Sequence, residues 1–180
     1  MHIYKKIQIL VILSFLIFLT GCIKKFNSDG LTFKIDESEL NKSSKEFPIK
    51  KDFIFANVEL GKPNIFIKKG TNRLNATIDM NLSAIFIPQA NSSIAVSGIP
   101  FFNKTNSSIY LKDIQIEKFD LSNLDINREF TNLIITNMKP VIDNIFTNIP
   151  IYEIDKSSFK GSFVKDIKIE DSELLVTFGL

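Results

Sequence analysis

Leu74-Asn75-Ala76-Thr77-Ile78-Asp79-Met80-Asn81-Leu82-Ser83-Ala84 alternates apolar and polar residues without a break. Side chains on a strand point to opposite faces in turn, so this stretch has one buried face and one wet face. Such alternation belongs to antiparallel sheets, which are covered on one side only. The alternation stops at Ile85-Phe86-Ile87, where both faces become apolar.

Working outward, the same period of two recurs. Leu31, Phe33 and Ile35 line one face of a first strand. Phe53 to Ile67 reads as strand with Pro63 as a bend or edge, and Gly70 marks the turn within Lys68–Asn72. Ile94 to Phe102 follows, then a polar hairpin loop over Asn103–Ser108, then a strand from Ile109 to Leu121. The apolar phase of that last strand slips twice, from Ile109 and Leu111 to Ile114 and Ile116, then to Phe119 and Leu121. Each slip needs one extra residue, so bulges are predicted near Lys112-Asp113 and Glu117-Lys118, bending the strand. Ile151–Ile154 is a short strand, and Ser158–Lys165 reads as a helical turn or two. Ile167–Ile169 and Leu174–Phe178 form a closing hairpin around Glu170-Asp171-Ser172.

Two segments change period. Asp36 with Glu39 three residues on resembles a capping box that opens a short helix through about Lys45. A metal reading of Asp36, Glu37 and Glu39 is less economical than acidity at a helix start. From Asp125 to Asn148, Phe130, Leu133, Ile134, Met138, Val141, Ile142, Ile145 and Ile149 recur at three and four residues, the stripe of an amphipathic helix. Pro140 is expected to kink it. The class predicted is α+β: a long, strongly curved antiparallel sheet wrapped around one long kinked helix, with a short N-terminal helix.

The N-terminus carries an address. Lys5 and Lys6 precede an apolar run, Ile7 to Leu19, whose polar residues are Gln8 and Ser14. That run is about 20 Å long as a helix, short of a ~30 Å hydrocarbon core. It ends Leu19-Thr20-Gly21-Cys22, with small residues before the only cysteine of the chain. This reads as a secretory signal of the lipoprotein type over residues 1–21, with Cys22 as the acylated first mature residue. Residues 22–30 then form a short polar tether, and 31–180 a single domain. Ile23 follows the cysteine where inner-membrane retention in enteric bacteria uses Asp, which points to the periplasmic face of the outer membrane. Lys24 and Lys25 either meet anionic headgroups beside the lipid or belong to a merely solvated linker.

Composition narrows the chemistry. With Lys5 and Lys6 removed, the 22 Lys and Arg fall to 20, equal to the 20 Asp and Glu. No basic excess exists for nucleic acid. The single histidine, His2, leaves with the signal. A mature chain without histidine or free thiol cannot build a Ser-His-Asp or Cys-His nucleophile system, nor a histidine- or thiolate-bound zinc. No phosphate-cradling glycine motif is present. Asp166 and Glu170 are paired in sequence but sit in polar, turn-like surroundings. No enzyme, cofactor or metal is expected.

Large apolar residues are abundant, 15 of the 17 Phe lying after residue 21. They either fill an ordinary core or line an apolar groove. The lining expected for a lipid or other apolar ligand is Met80, Leu82, Ile85, Phe86, Phe101, Phe102, Leu133, Met138, Ile142 and Ile145. The alternative is a structural or interaction lipoprotein of the envelope with a solid core and no ligand.

Several stretches in order also resemble the YceB-like bacterial lipoproteins, an uncharacterised family: Cys22, Leu31-Thr32 with a helix opening at Asp36, Asp79-Met80-Asn81-Leu82, Ile99-Pro100-Phe101-Phe102 before Ile109-Tyr110-Leu111, the helix containing Pro140, and Leu174–Phe178. The polar stretch Lys42–Lys50 departs from that pattern. The resemblance implies a fold similar to the tubular lipid-binding (TULIP-like) superfamily, in which a curved sheet wraps a long helix and apolar ligands lie between them. It implies no catalytic residues.

Overall fold

A computed structural model describes residues 23–44, 46–52, 56–84, 87–120, 128–154 and 163–179. The chain order is β1 (Ile23–Asn27), β2 (Gly30–Ile35), α1 (Glu37–Ser43), β3 (Ile49–Asp52), β4 (Ala56–Leu60), β5 (Asn64–Ile67), β6 (Leu74–Ala84), β7 (Ile87–Asn103), β8 (Ser108–Asp120), α2 (Arg128–Asn148), β9 (Tyr152–Glu153), β10 (Val164–Glu170) and β11 (Glu173–Phe178). The fold is α+β, built from antiparallel sheets and two helices.

The strands form two sheets where one was expected. A four-stranded sheet runs β1-β2-β11-β10, and a seven-stranded sheet runs β3-β4-β6-β7-β8-β9 with β5 also on β6. Neither is closed or strongly curled among the described residues. The first sheet joins the two ends of the domain, since β2 pairs with β11 from Leu31↔Phe178 to Ile35↔Leu174. Both sheets nevertheless share one core: Ile35, Leu174, Val176 and Val164 cluster with Ile78, Ile94, Ile109 and Ile142.

β6 spans the stretch whose alternation was unbroken, and Leu74, Ala76, Ile78, Met80 and Leu82 are each at most 3% exposed. β4 and β5 lie end to end on one edge of β6, separated at Gly61-Lys62-Pro63. Pro63 cannot donate to a ladder, so the strand breaks there. Both bulges foreseen in β8 are present. The register with β7 shifts between Ala95 and Val96, skipping Glu117, and again between Ser97 and Ile99. Asp113 at the second has φ of 52°. Arg73 holds this irregular region: its Nε donates to Ser97 Oγ (2.9 Å) and its Nη1 to Asp113 Oδ2 (2.9 Å), while Ser97 Oγ donates to Glu117 (2.6 Å).

Opposite the second bulge stands Gly98. A Cβ there would come 2.7 Å from Ile114 Cδ1 and 2.9 Å from Leu111 Cβ. The Leu111 Cβ is fixed to its backbone and cannot move aside. Gly98→Ala is therefore expected to destabilise the domain by about 1–3 kcal/mol through overpacking. Chemical unfolding would measure it, and an unchanged midpoint would refute it.

The β10–β11 hairpin turns on Asp171 and Ser172, with φ of 53° and 62°. Two positive φ values in a two-residue loop make a type I′ turn, matched to strand twist. α1 forms where the acidic pattern placed it, but the Asp36 side chain makes no cap hydrogen bond; the Asp36 carbonyl accepts from Glu39 N–H instead (2.9 Å). The acids of α1 have other work. Glu37 Oε1 accepts from Ile67 N–H (2.7 Å), and Asn41 exchanges two bonds with Ile65 (2.7 and 2.8 Å). These side chains cover the free edge of β5, which would otherwise invite strand pairing.

α2 begins at Arg128 within the described residues and continues through Pro140, which is exposed. Its C-terminus returns to β8, where Ile151 N–H donates to Ile109 carbonyl (2.9 Å). The helix thus runs back along β8, with Ile134, Met138, Ile142 and Ile145 buried against the sheet. The helical turns expected over 158–165 fall mostly on residues outside those described; from Val164 the chain is strand.

Candidate functional site

The seam between α2 and the seven-stranded sheet is where the apolar lining was expected. Five of the ten residues are buried there: Met80 and Leu82 from β6, and Met138, Ile142 and Ile145 from α2. Phe102 is half-buried against the same core. Phe101 is not part of the seam. It pairs with Tyr110 across the sheet, and their rings stack at 5.6 Å on the opposite face. Leu133 is 56% exposed. Ile85 and Phe86 lie outside the described residues, as does Cys22.

The middle of the seam is full. Ile142, Phe146, Ile109 and Ile94 have no accessible surface, and Ile145 and Leu111 have at most 2%. A side chain bordering a water-sized void would retain accessible area, so no acyl chain fits beside these residues. Phe146 escaped the sequence stripe although it is fully buried, its ring 6.2 Å from that of Phe47. It sits one residue beyond Ile145, on the flank that α1 and the following loop cover. Among the described residues near the start of the helix Leu133 is exposed, and Ile116 and Phe119 near the end of β8 are half-buried.

Two of the clefts among the described residues lie outside the seam. One, of about 700 Å³, gathers Ser43, Glu46, Asn106, Ser108, Tyr110, Asn148 and Glu153 with Ile149, Pro150 and Ile154. The Asn106 amide nitrogen donates to the Tyr110 hydroxyl, while its Oδ1 is shielded and accepts no hydrogen bond. Its polar side chains suit water or a polar solute more than a hydrocarbon chain. No single sequence motif marks it, because its residues come from three separate segments. Next to it, burial first and then the neighbouring Glu39 carboxylate push the Tyr152 hydroxyl above its ordinary pKa.

The other, of about 600 Å³, lies on the outer face of the four-stranded sheet. Thr32, Leu175 and Thr177 form its floor, and its walls carry four lysines (Lys24, Lys25, Lys165, Lys168) beside four acids (Asp29, Asp166, Glu170, Asp171). Thr32 and Thr177 share a hydrogen bond of 3.0 Å. Glu173 beside it pairs with Lys24 and with Lys34 (3.4 Å), and Lys34 also meets Asp36 (2.8 Å). Lys24 first, then Lys34, hold the Glu173 carboxyl below its ordinary pKa.

That depression has a consequence for acid stability. Glu173 favours the folded state while ionised, a contribution fully present above the unfolded value near 4.5. It fades as pH falls through the lowered folded value, where both states become protonated. Glu173→Gln is therefore expected to lower the melting temperature at neutral pH, with the gap to the parent closing in acid. A gap that stays constant between neutral pH and pH ~3 would contradict this.

A model of a protein family of unknown function matches residues 35–172, from the last residue of β2 to the turn between β10 and β11. No curated protein matches the chain.

Proposed function

The chain belongs to the DUF1439 family, and from its own residues we propose that it is a lipid-anchored protein of the periplasm, held to the outer membrane through Cys22, that binds a lipid or other apolar molecule beside the exposed Leu133 of α2. The role proposed is binding without catalysis. The observation that carries it is Leu133, 56% exposed on a helix whose next apolar residue, Ile134, is 9% exposed. The apolar surface of α2 thus continues beyond what the sheet covers, flanked by half-buried Ile116 and Phe119. Burial of such surface is favourable by roughly 25 cal/mol per Å². The resemblance to YceB-like lipoproteins, and through them to tubular lipid-binding proteins, supports the same reading by fold analogy.

Native mass spectrometry of the lipidated protein, extracted from membranes, tests this. A co-purified lipid is expected, and Leu133→Glu is expected to lose it without unfolding, because that side chain is already in contact with solvent. A parent protein free of ligand, before and after added phospholipid, would overturn the proposal. That result would favour the second reading, an envelope interaction protein with a solid core, for which the filled middle of the seam around Ile142 and Phe146 is the supporting observation.

A further inference from the structure

The residues expected to form a loose tether are built into the domain. Ile23–Asn27 is the edge strand β1, antiparallel to β2. Ile23 pairs with Phe33, Lys25 with Thr32 and Phe26 with Leu31, with a register shift between Ile23 and Lys25. One residue too many on β1 makes a bulge there. The bulge sorts the strand by chemistry. Ile23 and Phe26 share the face of Leu31 and Phe33, while Lys24 and Lys25 both border the depression floored by Thr32 and Thr177 on the other face.

Ile23 is 45% exposed and Phe26 is 71% exposed, the most exposed large hydrophobic residue described. Behind them Leu31, Phe33 and Phe178 are half-buried, the last two in edge-to-face contact at 5.4 Å. Cys22 adjoins Ile23, so its Cα lies about 3.8 Å from that of the first residue of the strand. An acyl chain on Cys22 would therefore be attached one residue from this apolar edge.

We propose that β1 is a membrane-contact strand: Ile23 and Phe26 sink into the bilayer surface beside the acyl anchor, while Lys25, on the opposite face of the strand, lies at the headgroup level. This rests on the reading of Cys22 as the acylated residue and goes beyond it by fixing which face of the domain meets the membrane. An exposed apolar strand edge directly beside a lipid anchor is the composition of an interfacial element. A polar, swinging linker would show neither the strand pairing nor the sorting of Ile23 and Phe26 from the lysines.

The chain has no tryptophan, so Phe26→Trp supplies a single fluorophore. The lipidated F26W protein is reconstituted into vesicles of phosphatidylethanolamine and phosphatidylglycerol with brominated acyl chains. K104W, in the exposed turn of the seven-stranded sheet, is the comparison. Emission from F26W is expected to shift to the blue and to drop at least about twofold on bromination, as for a ring held at the headgroup–acyl boundary, with K104W unchanged. Equal quenching of both variants, or none of either in a protein that carries its acyl label, overturns the inference while leaving the anchor intact. Absence of acyl label from the parent protein overturns the inference together with the reading beneath it.

Discussion

Cys22→Ala is expected to abolish acylation completely: no radiolabelled palmitate enters the protein, and the precursor with residues 1–21 still attached accumulates. Diacylglycerol is carried on a thiol, and Cys22 is the only cysteine in the chain. No second site can take its place. Pelleting with membranes is the wrong measurement, because an uncleaved run from Ile7 to Leu19 would itself hold the precursor to the bilayer. The label and the precursor length are the informative readouts. The folded domain has no contact that requires the cysteine sulfur as a disulfide, since no partner thiol exists. A variant that still takes up label, or matures to the size of the parent, would remove the basis for placing this chain in the envelope.

Phe146→Ala is expected to cost about 3–5 kcal/mol, the range for truncating a fully buried phenylalanine. Its side chain has no accessible surface and packs near Phe47, alongside Ile142 and Ile145 of the same helix. Truncation would leave a void in a seam that has none. Against a typical total of 5–15 kcal/mol for a domain, such a loss should move the urea midpoint strongly while leaving the slope of the transition unchanged. A cost below ~1 kcal/mol would mean that the middle of the seam is loosely filled. The contrast with Leu133 makes the experiment specific. Leu133 lies on the same helix but is mostly in water, so its substitution should scarcely change stability while changing any lipid bound there.

The elements that were legible are those whose local pattern admits one arrangement. β6 followed from unbroken alternation. The two bulges of β8 followed from apolar phase: Ile109 and Leu111 cannot share a face with Ile114 unless a residue is inserted, and Asp113 supplies it in a left-handed conformation. The hairpin at Asp171-Ser172 followed from two short apolar runs with a polar gap. β3 was missed because Ile49 is the only apolar residue in Ile49-Lys50-Lys51-Asp52. β1 was missed because a bulge puts two lysines in succession on one face, which erases the period of two. Of the residues expected as a ligand lining, Met138, Ile142 and Ile145 are buried on α2, Leu133 is exposed and Phe101 stacks on Tyr110. The sequence did not separate them, because hydrophobicity alone does not say which face of a strand or flank of a helix a neighbour covers.

By itself the sequence determined the α+β class, the strand period and the apolar stripe of α2, since each depends on residues within one or two turns or strands of each other. Only the tertiary structure decided that the strands divide into two sheets, because that depends on Leu31–Ile35 meeting Leu174–Phe178 across almost the whole chain. It alone decided that the helix–sheet seam is filled at Ile142 and Phe146 while Leu133 is exposed, and that residues 23–27 lie along β2. Packing between distant segments is a matter of volume and complementary shape, and one-dimensional periodicity carries neither.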